Sequence, residues 1–420
     1  MIARRSKRLE WLSPSIALYF FAVSTVGFAL DGGVYSVLLN LFLVRLDYGP
    51  EQIGLVNSVG TFVFALSSLP AGLLGERWGS RRALILGLSL MSLCAALLPL
   101  ADSLALGWQL PWLMVNIGVL YLGLAIFFVN TAPYVIESVG PDQRNQVVSL
   151  QTALLSLAAF GGSLLGGFLP PLIAGQLGNT LDQPAPYRYA LMVAGFAMLP
   201  AIFAMRAARP TPPRADTTSI ATAVAQSGLP IAAPIIGLLA LIALVRIFQV
   251  AGAASINTFF NVYLDSTLLV PTAQIGIIIA LARLLGVPAA LTTSLLTRRF
   301  GNRGVVISSL LASAICILPI TLIPHVGAAS FSLISVVSLS WIRYAASIVY
   351  FLELVPPAKR ATVSGVTEMA AGICFTIVTF GGGILIARYG YASLFGLSAA
   401  VTGVGALLFW LLFRNRKSYG

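Results

Sequence analysis

The sequence predicts an all-α integral membrane protein of twelve transmembrane helices, arranged as two six-helix halves related by pseudo-twofold symmetry. Three observations predict it. Of 420 residues 58% are hydrophobic and only 9% are charged, against about 25% charged in an average soluble domain. So few charges cannot clothe a globule of this size, and most of the outer surface must face lipid. The apolar residues gather into twelve runs, and short strings in the first half recur in order in the second.

The runs are read in chain order. Six lie at about Ile16 to Val44, Ile53 to Leu74, Ala83 to Leu100, Trp112 to Ile136, Val147 to Ile173 and Tyr189 to Met205. Six more lie at about Pro234 to Leu264, Thr272 to Leu296, Val305 to Ile323, Ser330 to Leu352, Val363 to Ile386 and Ala392 to Phe413. Each is long enough to cross a hydrocarbon core, which takes about 20 residues. These are spans 1 to 12. The expected division is a first half over 1–205, a Pro-, Ala- and Thr-rich linker over 206–232 on the cytoplasmic side, and a second half over 233–420. Span 1 follows Arg4, Arg5, Lys7 and Arg8, as a secretory signal does, but it is too long and lacks a small-residue cleavage site, so it is expected to stay as a helix. With both termini cytoplasmic, inner segments hold 19 Lys and Arg and outer loops hold three, Arg45, Arg188 and Arg388. That bias sets the expected orientation in the cell membrane.

The net charge of +12 suggests a nucleic-acid partner only until the charges are placed, because nearly all the excess marks one membrane face. No nucleic-acid partner is expected. None of the three lysines follows a Gly, so no phosphate-binding G-x-x-x-x-G-K-[ST] loop exists. Cys94, Cys316 and Cys374 sit far apart in apolar runs and read as small packing residues, and the single His325 reads as an exposed loop residue. No metal, cofactor or catalytic cluster is indicated, so an enzyme is not expected.

Internal repetition supports the two halves. Asn40-Leu-Phe-Leu followed by Gln52-Ile53-Gly54 recurs as Asn261-Val-Tyr-Leu followed by Gln274-Ile275-Gly276. Glu137-x-Val139-x-Pro141-x-x-Arg144 recurs as Glu353-x-Val355-x-Pro357-x-x-Arg360, and Gly72 to Arg82 has a degraded copy at Ser294 to Gly304. Parallel halves of this kind are a known transporter plan.

The string Gly72-Leu-Leu74-Gly75-Glu76-Arg77-Trp-Gly79-Ser-Arg81-Arg82 is the most specific in the chain. Gly72 gives a close helix approach, Gly79 a tight reversal, and the arginines hold the turn at the inner face. It resembles the signature between helices 2 and 3 of the major facilitator superfamily, G-x-L-[GAD]-[DE]-R-x-G-x-[RK]-[RK]. The resemblance implies a cytoplasmic latch made by Gly72, Glu76, Arg77, Gly79 and Arg81, with Glu76 against the start of helix 11. Glu137 is placed to accept Arg77 or Arg81. The second copy keeps Arg299, Gly301 and Arg303, which Glu353 can pair with, but has Arg298 where the first has Glu76. The alternative is that these arginines only mark topology. In span 5, Gly162-Ser163-Leu-Leu-Gly166-Gly167 approaches the G-P-x-x-G-G of the drug:proton antiporter branch, with Ser163 in the place of Pro; generic helix packing is the alternative and carries the edge.

Charges at bilayer depth are costly and mark the solute path. Asp31 lies halfway along span 1, Arg246 deep in span 7, and Arg283 and Arg343 central in spans 8 and 10. The resemblance puts spans 1, 4, 7 and 10 around the central cavity, with two readings open for Arg283, facing it or facing a neighbouring helix. Three arginines oppose one aspartate there, with Glu368 in span 11 available as one further carboxylate, so a positive excess remains. The expectation is that an anionic or zwitterionic group of the solute binds these arginines and that Asp31 takes the coupling proton; closed structural salt bridges are the alternative. Tyr35, Asn40, Asn116, Asn130, Tyr134, Gln249, Asn257, Asn261, Trp341 and Tyr344 read as packing or interhelical hydrogen bonds.

The expected function is thus secondary active transport of a small organic or amphipathic solute by alternating access, first as proton-coupled efflux by a monomer. Uptake or exchange of an organic anion, or a non-transporting membrane sensor, are the alternatives.

Overall fold

The computed structural model describes residues 13–208, 233–355 and 360–414. The basic residues before span 1, most of the linker, and Lys359, Arg416 and Lys417 lie outside the described residues. Eleven helical stretches are long and apolar enough to cross a membrane. One of them, Thr272–Leu322, turns at Gly301, whose φ of 69° and ψ of 161° no helix holds, and is therefore two spans. Twelve spans result among the described residues, as the apolar runs predict.

Span 1 is two half-helices, Pro14–Ala29 and Val34–Arg45, separated by an unwound turn. Pro14 suits the first helical position, and Ser13 caps it by accepting from Ile16 N at 3.3 Å. Spans 2 to 6 are Pro50–Trp78, Ser80–Leu97, Leu106–Ser138, Pro141–Leu177, and the pair Ala185–Phe196 and Leu199–Ala207. Span 7 is Ala233–Ser266, spans 8 and 9 are the two arms of Thr272–Leu322, and spans 10 to 12 are Val326–Glu353, Arg360–Tyr389 and Tyr391–Phe413. His325 is the N-cap of span 10, its Nδ1 accepting from Gly327 N at 3.0 Å, so the expected bland loop histidine has a capping duty.

By contact, the described residues form two compact units, Met1–Phe42 with Leu66–Thr217 and Leu43–Ala65 with Thr218–Gly420. In the first, spans 3 and 4 close on each other where a Cβ on Gly87 would meet Gly123 O at 2.7 Å. In the second, the segment Leu43–Ala65 is drawn onto spans 7 and 11. Arg45 grips Asp265 at 2.6 and 2.7 Å through both terminal nitrogens. Gly54 and Gly383 meet backbone to backbone, and Thr61 hydrogen-bonds Thr376 at 3.1 Å. Small residues admit such approach where no hydrophobic difference between lipid and protein drives packing. The buried rings of Phe351, Phe409 and Phe413 with Tyr350 fill one end of this unit.

Candidate transport site

The unwound turn of span 1 carries Asp31, and it is built from glycine. Gly32 takes a φ of 83°, open to glycine at little cost. A Cβ on Gly33 would fall 1.8 Å from Phe28 O. Span 5 makes room for the turn: a Cβ on Gly162 would meet Phe28 O at 2.0 Å, and Gly166 lies against Val34. Three of the freed main-chain groups find side-chain partners. Ser163 donates to Gly32 O, Ser36 donates to Leu30 O at 3.0 Å, and Gly32 N donates to Ser36 Oγ at 2.9 Å. The span 5 string thus has a local duty, packing against a broken helix, which is the alternative weighed above. Asp31 is exposed rather than buried, because the turn swings it out of the helix line, and it stands close enough to Tyr121 of span 4 to act on it electrostatically.

The second unit buries a cationic cluster. Arg246 is 5% exposed and Arg343 is 3% exposed. Among the described residues Arg343 donates only to neutral hydroxyls, to Ser313 at 3.2 Å and Ser340 at 3.0 Å, and its Nε has no acceptor. Among the described residues Arg246 makes no hydrogen bond; its guanidinium lies 5.3 Å from the centre of the Tyr344 ring. Gln249, one turn on from Arg246, is fully buried, accepts from Ser347 at 3.4 Å, and leaves its Nε2 donor without a partner. Ser347 is one turn on from Arg343, so the i,i+3 and i,i+4 neighbours of spans 7 and 10 face each other. Tyr344 donates to Glu368 at 3.2 Å, and Glu368 acts electrostatically on Arg246. Arg283 is half-buried, with no hydrogen bond among the described residues. Gln249, Tyr344 and Ser347 therefore belong to the cluster, although nothing in their sequence pattern marks them for it.

The turn strings complete the picture. Glu76 and Arg77 are exposed. Glu137 accepts from Ser80 rather than from an arginine, while Arg81 donates to Met205 O at 3.0 Å and to Arg206 O. In the second unit Asn302 donates to Glu353 at 3.3 Å, and Arg303 donates to Arg414 O and Trp410 O at 3.2 and 3.4 Å. Of the expected arginine partners of Glu137 and Glu353, Arg81 and Arg303 instead cap the last turns of spans 6 and 12, where helix carbonyls lack partners. Arg299 lies over the Phe300 ring at 5.4 Å. Gly79 and Gly301 both have positive φ, at 88° and 69°. A Cβ on Gly72 would meet nothing closer than 3.6 Å, whereas one on Gly75 would strike Asn130 Oδ1 at 1.6 Å. The close helix approach belongs to Gly75.

The family model of the Major Facilitator Superfamily matches residues 21–366 and 242–419. The chain belongs to that superfamily. Its members are transporters, and this one is a transport protein rather than an enzyme. A "Probable anion transporter 7" from Oryza sativa subsp. japonica is 28% identical over 141 residues, 33% of this chain and 30% of that protein. The "Solute carrier family 2, facilitated glucose transporter member 10" of Mus musculus is 35% identical over 144 residues, 33% of this chain and 25% of that protein. The chain thus spans under a third of the length of the curated relatives it matches. The inward-open xylose transporter XylE from E. coli superposes with a TM-score of 0.73 at 15% identity, over 95% of this chain and 96% of the other. That likeness is one of fold, and it is the fold of the superfamily.

Proposed function

We propose that this superfamily member carries an organic anion by alternating access, with Arg246, Arg343 and Gln249 supplying the donors that hold it. One observation carries the reading: three neighbouring side chains, each more than nine-tenths buried, keep hydrogen-bond donors that no acceptor among the described residues meets. Unpaired buried donors cost about 1–3 kcal/mol each, and more when charged, so they persist where a ligand satisfies them. The match to a plant protein named as an anion transporter agrees with this. Asp31, at the break of span 1, is the proton carrier in this proposal, since an exposed carboxylate on an unwound turn can exchange a proton without opening a helix. Arg283 stands along the path as a further cation. Glu76, Arg77 and the turns at Gly79 and Gly301 form the cytoplasmic gate, with Gly72 and Arg299 beside them and Arg81, Glu137, Arg303 and Glu353 holding each turn in place. The protein works as a monomer in the cell membrane with both termini cytoplasmic, as two six-helix halves joined by the 206–232 linker. Export is the working direction, on the strength of the full turn string alone.

Proteoliposomes loaded with labelled organic anions or with neutral sugars test this. Saturable anion flux driven by an imposed pH difference, lost in Arg246→Gln and Arg343→Gln, is the expected result. In Asp31→Asn the pH-driven flux should vanish while anion exchange survives. Sugar flux with no anion flux, or arginine variants with full activity, would overturn the reading.

A further inference from the structure

Charge arithmetic in the buried cluster of the second unit leads further than anion binding. Two guanidinium groups, Arg246 and Arg343, act on each other electrostatically, and arginine does not relieve repulsion by losing its proton at ordinary pH. One carboxylate, Glu368, stands in range of Arg246, held by the hydroxyl of Tyr344 at 3.2 Å while the same tyrosine presents its ring to Arg246. Among the described residues Arg343 has only the hydroxyls of Ser313 and Ser340. The unsatisfied charge is therefore one, and it belongs to the Arg343 side, next to the free donor of Gln249.

We propose that Glu368 is a specificity-determining residue: as resident counter-ion of Arg246 it leaves room for a single negative charge, so the site selects monoanions over dianions. This rests on the anion reading above. A monocarboxylate or other singly charged group brings the cluster to neutrality. A dianion of similar shape overshoots it and meets Glu368 as a like charge. Glu368 is exposed, so replacing it disturbs no packing, and Gln keeps an oxygen for Tyr344 to donate to.

The full chain, purified in detergent, is titrated near neutral pH with benzoate and with phthalate, an aromatic pair that differs by one carboxylate, and affinity is read from the ligand-induced rise in melting temperature. Wild type is expected to bind benzoate about tenfold or more tightly than phthalate, the factor that about 1.4 kcal/mol gives. Glu368→Gln should reverse that order, and Glu368→Asp should keep it. A wild type that prefers phthalate, or an unchanged order in Glu368→Gln while Arg246→Gln and Arg343→Gln abolish both responses, overturns the role of Glu368 and leaves the anion reading standing. If neither anion stabilises the wild type, or the arginine variants respond like it, the anion reading falls and this proposal with it. The wild-type order needs no variant to fold.

Discussion

Ser80 donates its hydroxyl to the carboxylate of Glu137, and the same post in the second half is held by Asn302 donating to Glu353. Beside each donor stands an arginine, Arg81 or Arg303, that reaches the last carbonyls of the half's sixth span. The turn string therefore does its first work inside its own half: it ties span 3 to spans 4 and 6, and span 9 to spans 10 and 12. The donor can change from hydroxyl to amide because the acceptor needs only one N–H or O–H. The arginine is retained because a planar fork reaches two carbonyls at once.

Arg81→Gln and Arg303→Gln should each lower thermal stability by about 0.5–2 kcal/mol, the range for one or two charged hydrogen bonds at a partly exposed site. Melting of the purified variants reads this as a loss of a few degrees. Arg82→Gln serves as control, since Arg82 is exposed and makes no hydrogen bond among the described residues. Equal losses at Arg82 and Arg81 would mean that net charge, not capping, is being measured.

Gly75→Ala should destabilise by about 1–3 kcal/mol, the usual cost of overpacking, because its Cβ would fall 1.6 Å from Asn130 Oδ1. Asn130 has little freedom to retreat: its amide donates to Ala71 O at 3.0 Å and to Ile126 O at 2.8 Å. Gly72→Ala meets only Val129 at 3.6 Å and should melt with the wild type. Expression yield and melting temperature separate the two, and a Gly72→Ala as damaging as Gly75→Ala would contradict this assignment.

Much of the fold was legible in the sequence because bilayer crossing imposes length and apolarity on every span. The reversals at Gly79 and Gly301 were legible too, since only glycine enters that backbone region freely. Three things were not. Gly32 and Gly33 follow Asp31 inside an otherwise apolar run of full span length, so hydropathy reads straight through the break; the pairing with Ser36 and with Ser163, 131 positions on, is visible only in the structure. Gln249 looked like a packing residue because its meaning lies in a donor left over after its pairing with Ser347. Arg45 and Arg188 looked like exceptions to the charge bias, yet Asp265 and Asp102 neutralise them at 2.6 and 2.9 Å.

Arg45→Ala or Asp265→Ala should each cost more than the pair deleted together. Both side chains are mostly withdrawn from water, at 15% and 8% exposure, and a stranded partner retains its desolvation penalty. A double-mutant cycle by thermal melting should give a coupling of about 1–3 kcal/mol. The exchanged pair, Arg45→Asp with Asp265→Arg, should recover part of the loss. Additive single losses would show that the two side chains stabilise the protein independently.

Ser163 offers the sharpest probe of the unwound turn. It is fully buried, and its hydroxyl is the donor that Gly32 O takes after leaving the helical ladder. Ser163→Ala leaves that carbonyl without its donor, at a cost of about 1–3 kcal/mol, while changing almost no volume. The strain is local, so amide hydrogen exchange should accelerate across Asp31 to Val34 and stay unchanged in span 7. Ser163→Pro, which would complete the antiporter-like string, should fare worse than Ala: it too removes the donor, and its ring meets the carbonyl four residues earlier, at Ala159. If Asp31 works from this turn, pH-driven flux should fall in both variants in step with the exchange data. Unaltered exchange at Asp31 to Val34 in Ser163→Ala would mean that the glycine contacts alone hold the break.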